Sequence, residues 1–246
     1  MHQKLKIFGF LLFLILALAE FPALAQTAEI ELAQAQKAAE SGDRNQALGL
    51  YSRAGIAFWN QGQADQAIAA LQQALSLAEQ LGNQNALSVI HSHLGLIHTD
   101  HEDHARAVTH LEKSLEYKKK LKDKRGQAAD YLNLALVRRE QDQYQQAVTQ
   151  LETGLALAKE LQDKQLLRNY FSALAENYES LGNTAKSYEY FDKYTAFEKE
   201  VQKEQMARTQ AKAQEADLKR EQVERLSKVQ EEVLKKPALS SPWPKS

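Results

Sequence analysis

GIAFWNQGQADQAIAALQQAL, residues 55–75, reads as two helical segments broken by one short polar turn. Beyond the break, Ala67, Ile68, Leu71, Ala74, Leu75 and Ala78 recur at the three- and four-residue steps of one helix face. The break itself, NQGQ at 60–63, has sister turns in LGNQ at 81–84, KDKR at 122–125 and LGNT at 181–184. The spacing predicts helices of about seventeen residues joined by short loops.

Outward from this stretch the same chemistry returns every forty residues. Gly55, Gly95, Ala135 and Ala175 are small, and beside them Ala54, Leu94, Leu134 and Leu174 are apolar. Ala67, Ala107, Ala147 and Ser187 form a third series, Leu71, Leu111, Leu151 and Phe191 a fourth, and Leu81, Leu121, Leu161 and Val201 a fifth. Antiparallel helices approach closely only where one side chain is nearly absent, which explains the first series. Ala67, Ala107 and Ala147 supply the matching flat spot on the second helix.

This pattern resembles the tetratricopeptide repeat, on the small and aromatic residues of residues 55–75 and of LAENYESLGNTAKSYEYFDKY at 174–194. Endings such as LSLAEQLGN and LALAKELQD are similar to the long, forty-residue branch of that family. The expected fold is all-α, a right-handed superhelical solenoid of stacked helix pairs with a long C-terminal helix. Four units are expected at 44–83, 84–123, 124–163 and 164–201, behind an N-terminal capping helix or half repeat within 26–43. The second and third units depart from the family at the internal turn, where Glu102 and Asp142 stand in place of glycine.

The resemblance implies a concave face, lined by the first helix of each pair, that binds a protein or peptide. Its positions carry over to Ser52, Ile56 and Trp59, then Ser92, Leu96 and Thr99, then Leu132, Leu136 and Arg139, and last Ser172, Glu176 and Glu179. Such a face is apolar at one end and acidic at the other. The lysine and asparagine clamp by which some relatives hold a carboxylate terminus is missing. Trp59 has a second reading, half-buried packing against the capping helix.

HSHLGLIHTDHEDHARAVTH, residues 91–110, holds six of the seven histidines. His98 and His101 can share a helix face, and His104 follows across the turn with Asp100, Glu102 and Asp103 among them. Three imidazoles with carboxylates suit zinc, nickel or copper. A histidine-rich turn with no functional metal site is the plainer reading, and a pH-sensitive turn is equally compatible, because clustered imidazoles repel once protonated. His91 shares the register of Tyr51, Tyr131 and Phe171 and reads as a core residue.

Lys4 and Lys6 precede an apolar run from Ile7 to Ala19 and the triplet Ala23-Leu24-Ala25, the signature of a signal peptide over 1–25. The run is too short to span a bilayer, so the expectation is an exported bacterial protein, periplasmic or secreted, without a mature transmembrane segment. With no cysteine, stability must come from packing rather than disulfides. The near balance of 31 Lys and Arg against 32 Asp and Glu does not point to nucleic acid. There is no glycine-rich phosphate loop, no HExxH and no G-x-S-x-G elbow, so the reading is a noncatalytic module without cofactor.

From Lys199 to Lys236 charge and glutamine dominate, with Glu204 and Arg208, Glu221 and Arg225, Glu224 and Lys228, and Glu231 and Lys235 four apart. Residues 202–236 are expected to form a charged helix or weak coiled coil, because Val223, Leu226 and Val233 make only a thin stripe interrupted by Gln230. Residues 237–246, rich in proline and serine, are expected to be disordered. The order of signal peptide, repeats and charged helix resembles the sensory region of bacterial repeat-containing histidine kinases. The functional expectation is an exported scaffold or adaptor, with two alternatives: the sensory portion of a signalling system, and a periplasmic metal-binding protein.

Overall fold

The computed structural model describes residues 27–235, so the expectations for 1–25 and 237–246 fall outside the described residues. A first helix, α1, covers 27–40. It is followed by α2 (Arg44–Asn60), α3 (Ala64–Gln80), α4 (Gln84–Asp100), α5 (His104–Lys120), α6 (Lys124–Glu140), α7 (Tyr144–Leu161), α8 (Lys164–Ser180) and α9 (Thr184–Lys235). The fold is all-α, and no strand occurs among the described residues. No helix among them is long and apolar enough to cross a membrane.

The turns follow a period of twenty residues, half the sequence repeat. At each, one residue has positive φ: Gly42, Gly62, Gly82, Glu102, Lys122, Asp142, Gln162 and Gly182. The next residue's N–H reaches back to a carbonyl five residues earlier, as from Asp43 to Ala38, Asp103 to His98 and Asp163 to Ala158. This backbone pattern closes the orphan carbonyls of a helix end. In most turns the same residue then caps the next helix, as the Asp43, Asn83, Asp103, Asp123 and Asp163 side chains do.

A left-handed backbone costs an L-residue roughly 1–2 kcal/mol, a cost that glycine escapes. Lys122→Gly with Gln162→Gly is therefore expected to stabilise the chain by about 1–2 kcal/mol in total, after allowing for glycine's greater freedom when unfolded. Thermal unfolding of the double variant checks this, and an unchanged or lowered melting temperature would contradict it.

Close approach within pairs falls where the small series places it. A Cβ on Gly55 would stand 2.6 Å from Leu71 Cγ, and one on Gly95 the same distance from Leu111 Cγ. Leu71, Leu111 and Leu151 are fully buried, whereas Phe191, in the same register, is 53% exposed. Ala28, Ala35 and Ala38 of α1 join the core of α2, α3 and α4, so α1 stands where the second helix of a preceding pair would stand.

Between units, α2 touches α4, α4 touches α6 and α6 touches α8, while among the described residues no comparable contact joins α3 with α5 or α5 with α7. First helices therefore line the inner, tighter face of the stack, as they do in other solenoids.

Residues 192–235 form a unit of their own within α9. There Glu221 pairs with Arg225 at 3.6 Å and Glu224 with Lys228 at 2.7 Å, joined by Glu215 and Lys219 at 2.6 Å. Leu218, Val223 and Leu226 are exposed.

Candidate functional site

The inner face is built from residues spaced three, four and seven apart on successive first helices. Ile56 and Leu96 are half-buried, and Leu136 is 37% exposed. Val89, which sequence reasoning missed, is 47% exposed two turns before Leu96 on the same helix face. Its register partners Gly49, Ala129 and Asn169 carry no comparable apolar bulk, and that difference is the signal that could have found it.

Trp59 is half-buried against the core and makes polar and ring contacts to α4. Its indole Nε1 donates to Asp100 Oδ2 at 2.8 Å, and its ring meets His93 edge-on at 6.1 Å between centroids. Leu132 is half-buried against the core of the last two pairs. At the polar end, Arg139 forms an ion pair with Glu176, which also accepts from Ser172 at 3.3 Å, while Glu179 is exposed.

Three expected positions turn inward instead. Thr99 is buried and donates to the Gly95 carbonyl at 2.9 Å, Ser52 donates to Leu48, and Ser92 donates to Asp130 Oδ1 at 3.1 Å. A short hydroxyl on a helix finds a local carbonyl or buried acceptor before it reaches a groove.

His98, His101 and His104 are not brought together. His98 is buried, with Nδ1 3.8 Å from Asp103 Oδ2, His101 is exposed at the end of α4, and His104 Nδ1 lies 3.5 Å from Glu140 Oε2 on α6. Among the described residues no group of three His, Cys, Asp or Glu side chains is placed to hold a metal ion. The metal-ligand reading of these three is corrected accordingly, since neighbours in a turn point in different directions once the helices on either side have packed.

A different set of histidines converges. His91 Nδ1 and His110 Nδ1 are 2.9 Å apart, and the His98 ring stacks on His110 at 5.5 Å and 10°. His91 also stacks on Tyr117. Burial, together with neighbouring His110 and Lys113, holds His91 down to about 4. Burial, then His98, Lys113 and Arg106, does the same to His110. His98 is lowered by burial against the pull of Asp103.

Between the second and third pairs lies a buried polar cluster that sequence reasoning also missed. Lys118 Nζ donates to Asp130 Oδ1 at 2.8 Å, and Ser114 Oγ to Asp130 Oδ2 at 2.7 Å. Asp130 is fully buried and Lys118 nearly so. Burial pushes the Asp130 carboxyl above its usual range, and Lys118 opposes that shift. The signal lay in the forty-residue register, where Lys118 stands among Ala38, Ala78 and Ala158, and Asp130 among Leu50, Ile90 and Tyr170.

Residues 45–120 match the family model described as tetratricopeptide repeat, and residues 91–179 match that of anaphase-promoting complex subunit 5. No curated protein matches the chain. Among solved structures, BtubC (BKLC) from P. vanneervenii is 16% identical with a TM-score of 0.62, over 74% of this chain and 91% of that one. A putative kinesin light chain with nearly identical TPR-like repeats from Podosopora anserina is 18% identical with a TM-score of 0.62, over 73% and 89%. A Rap protein complexed with competence and sporulation factor is 18% identical with a TM-score of 0.53, over 70% and 54%. Residues 45–120 thus match the tetratricopeptide repeat, and the forty-residue register continues the same helix pairs to α9 in a solenoid fold like that of these structures.

Proposed function

We propose that the face formed by α2, α4, α6 and α8 binds a protein or peptide partner, and that the chain works as a noncatalytic scaffold or adaptor. The observation that carries this reading is the apolar run of Ile56, Val89, Leu96 and Leu136, half-buried or exposed along the inner face. Burying exposed apolar side chains is the main source of binding energy. The Rap protein crystallised with competence and sporulation factor gives a precedent on the same fold. The basic and apolar N-terminal segment and its Ala23-Leu24-Ala25 triplet support action outside the cytoplasm.

The test is partner capture with the mature chain as bait, followed by crosslinking to map the contact. Val89→Asp with Leu136→Asp leaves the buried core untouched and is expected to weaken capture by at least about tenfold, the equivalent of about 1.4 kcal/mol. Circular dichroism should be unchanged. Full capture by this variant, or crosslinks confined to residues 192–235, would move binding to another surface.

A second reading, the sensory portion of a signalling system, takes its support from the long charged helix that follows the repeats. Exposed Leu218, Val223 and Leu226 would then support weak self-association, since pairs four apart contribute only about 0.2–0.5 kcal/mol each to the helix itself.

A further inference from the structure

The polar interior of this solenoid is concentrated in one place. Ser88, His91, His98, Thr99, Ser114, Lys118 and Asp130 are buried between the start of α4 and the first half of α6, and among the described residues only Asn177 of α8 joins them as a buried polar or charged residue elsewhere. Within that stretch the three convergent imidazoles bridge α4 and α5, which are the two helices of the second pair.

The register shows what these imidazoles replace. In the fourth pair the same three positions hold Phe171, Tyr178 and Tyr190, with Tyr178 stacked on Tyr190 at 5.7 Å and 8° and Phe171 tilted against Tyr190. In the first pair they hold Tyr51, Phe58 and Ala70. The second pair therefore carries, in titratable form, a cluster that is aromatic or apolar in those two pairs.

We propose that His91, His98 and His110 form an acid-released clasp that lets α4 part from α5 while the flanking pairs stay folded. A bond between two Nδ1 atoms needs one donor and one acceptor. A first proton can be taken at the Nε2 of the donating ring with the bond kept. A second proton on the accepting Nδ1 leaves two donors face to face, so the bond breaks and two cations share a buried space.

The surroundings offer little compensation. From α5 and its cap come Arg106, Lys113, Tyr117 and Asp103, and only the last of these is an acid that draws a proton onto a ring, His98. On α4 and its end, His93, Asp100 and His101 are half-buried or exposed, and Asp100 is engaged by Trp59. From α6, Asp130 is taken by Lys118, and Glu140 lies opposite His104. From α2 and α3 the shared core receives Tyr51, Ala70, Ala74 and Ala78, while Asp65 and Glu79 are exposed at the ends of α3 and Arg53 pairs with Glu31.

Linkage fixes the sign of the effect. His91 and His110 bind protons less readily folded than unfolded, so their stabilisation is present above about 6.5 and is lost as pH falls towards about 4. Asp130 shifts the other way, and acid favours the folded form at that site. Asp163 and Glu116 are held below the usual carboxylate range, so what they contribute is lost from their unfolded values downward, at the acid end of this window. Opening stays local because each unit of a solenoid contacts only its neighbours. Loss of a bound partner on opening would rest on the proposed inner-face function, whereas the opening itself does not.

The test is hydrogen exchange on the full chain from pH 7.5 to 4, with α7 peptides as the internal reference for the intrinsic pH dependence of exchange. Peptides from α4 and α5 should lose protection by at least about tenfold relative to α7, with a slope near two protons. Trp59 fluorescence, read in a Trp243→Phe background, should change with the same midpoint because its indole is bonded to α4. Grafting the fourth pair's residues (His91→Phe, His98→Tyr, His110→Tyr) should abolish the step. The first pair's set (His91→Tyr, His98→Phe, His110→Ala) gives a second, independent graft should the first not fold at neutral pH. An acid step that survives in a folded graft, or that opens α7 together with α4, overturns the proposal.

Discussion

Asp130→Ala is expected to cost the fold about 3–5 kcal/mol, because it leaves the Lys118 ammonium in a core position without its counter-charge. Removing both charges should have the opposite outcome. Lys118→Ala with Asp130→Ile installs the residues that the preceding junction carries in the same register, buried Ala78 and Ile90. Two charges taken from water are repaid only in part by their attraction, so an apolar pair of fitting shape is expected to match the parent or exceed it by up to about 4 kcal/mol. Ser114 keeps an acceptor in the Ser88 carbonyl when the carboxylate is gone. Urea unfolding of the three chains decides the matter. A double variant as damaged as the single one would mean that the ion pair is needed for more than balancing its own charges.

This pair also shows where the sequence was legible and where it was not. Lys118 sits in YKKKLKDKR, a run that reads as a solvated helix end, and nothing local separates it from Lys119 or Lys120. Only comparison with Ala38, Ala78 and Ala158 places it inside. Helices and turns were readable because each depends on residues near it: a face of Ala67, Leu71 and Ala74, or a Gly82-Asn83 turn that ends one helix and caps the next. The expectation that glycine marks the family's turn needs one amendment. Glu102 and Asp142 adopt the same left-handed backbone as Gly62 and Gly182, so the geometry persists where the residue that favours it does not.

The histidines were misread for a related reason. His98, His101 and His104 are close in sequence, but the packed helix ends send one inward, one to solvent and one towards α6. His110 joins His91 and His98 only because α5 folds back antiparallel onto α4. Inner-face residues divided in the same way. Ile56, Leu96 and Leu136 have no hydrogen bonds to make and stay on the surface that their spacing assigns, whereas Thr99 and Ser92 found acceptors within the fold.

Gly154→Ala is the second large effect expected, although alanine is the better helix former by about 0.5–1 kcal/mol. A methyl there would overlap the Tyr170 ring, with Oη and Cζ closest and Cε1 at 2.8 Å. Tyr170 is fully buried and its hydroxyl donates to the Ala128 carbonyl, so the ring has no free direction in which to retreat. Overpacking of about 1–3 kcal/mol, added to a buried tyrosine hydroxyl left without its acceptor at about 1–3 kcal/mol, gives a net loss of about 2–4 kcal/mol. Tyr170→Ile alone is expected to cost about 3 kcal/mol by leaving a cavity against Gly154. Combined, the two changes recreate the Ala74 and Ile90 pairing of the first junction, so they should recover at least about 2 kcal/mol of the summed losses. Strict additivity of the two in denaturant unfolding would show that the small residue and the ring do not read each other. Recovery would mean that each junction has its own fitted pair: alanine with isoleucine, serine and lysine with aspartate, glycine with tyrosine. Units alike enough to stack in any order would then be held in one order, because a tyrosine offered to Ser114, or an aspartate offered to Gly154, has neither the space nor the counter-charge it needs.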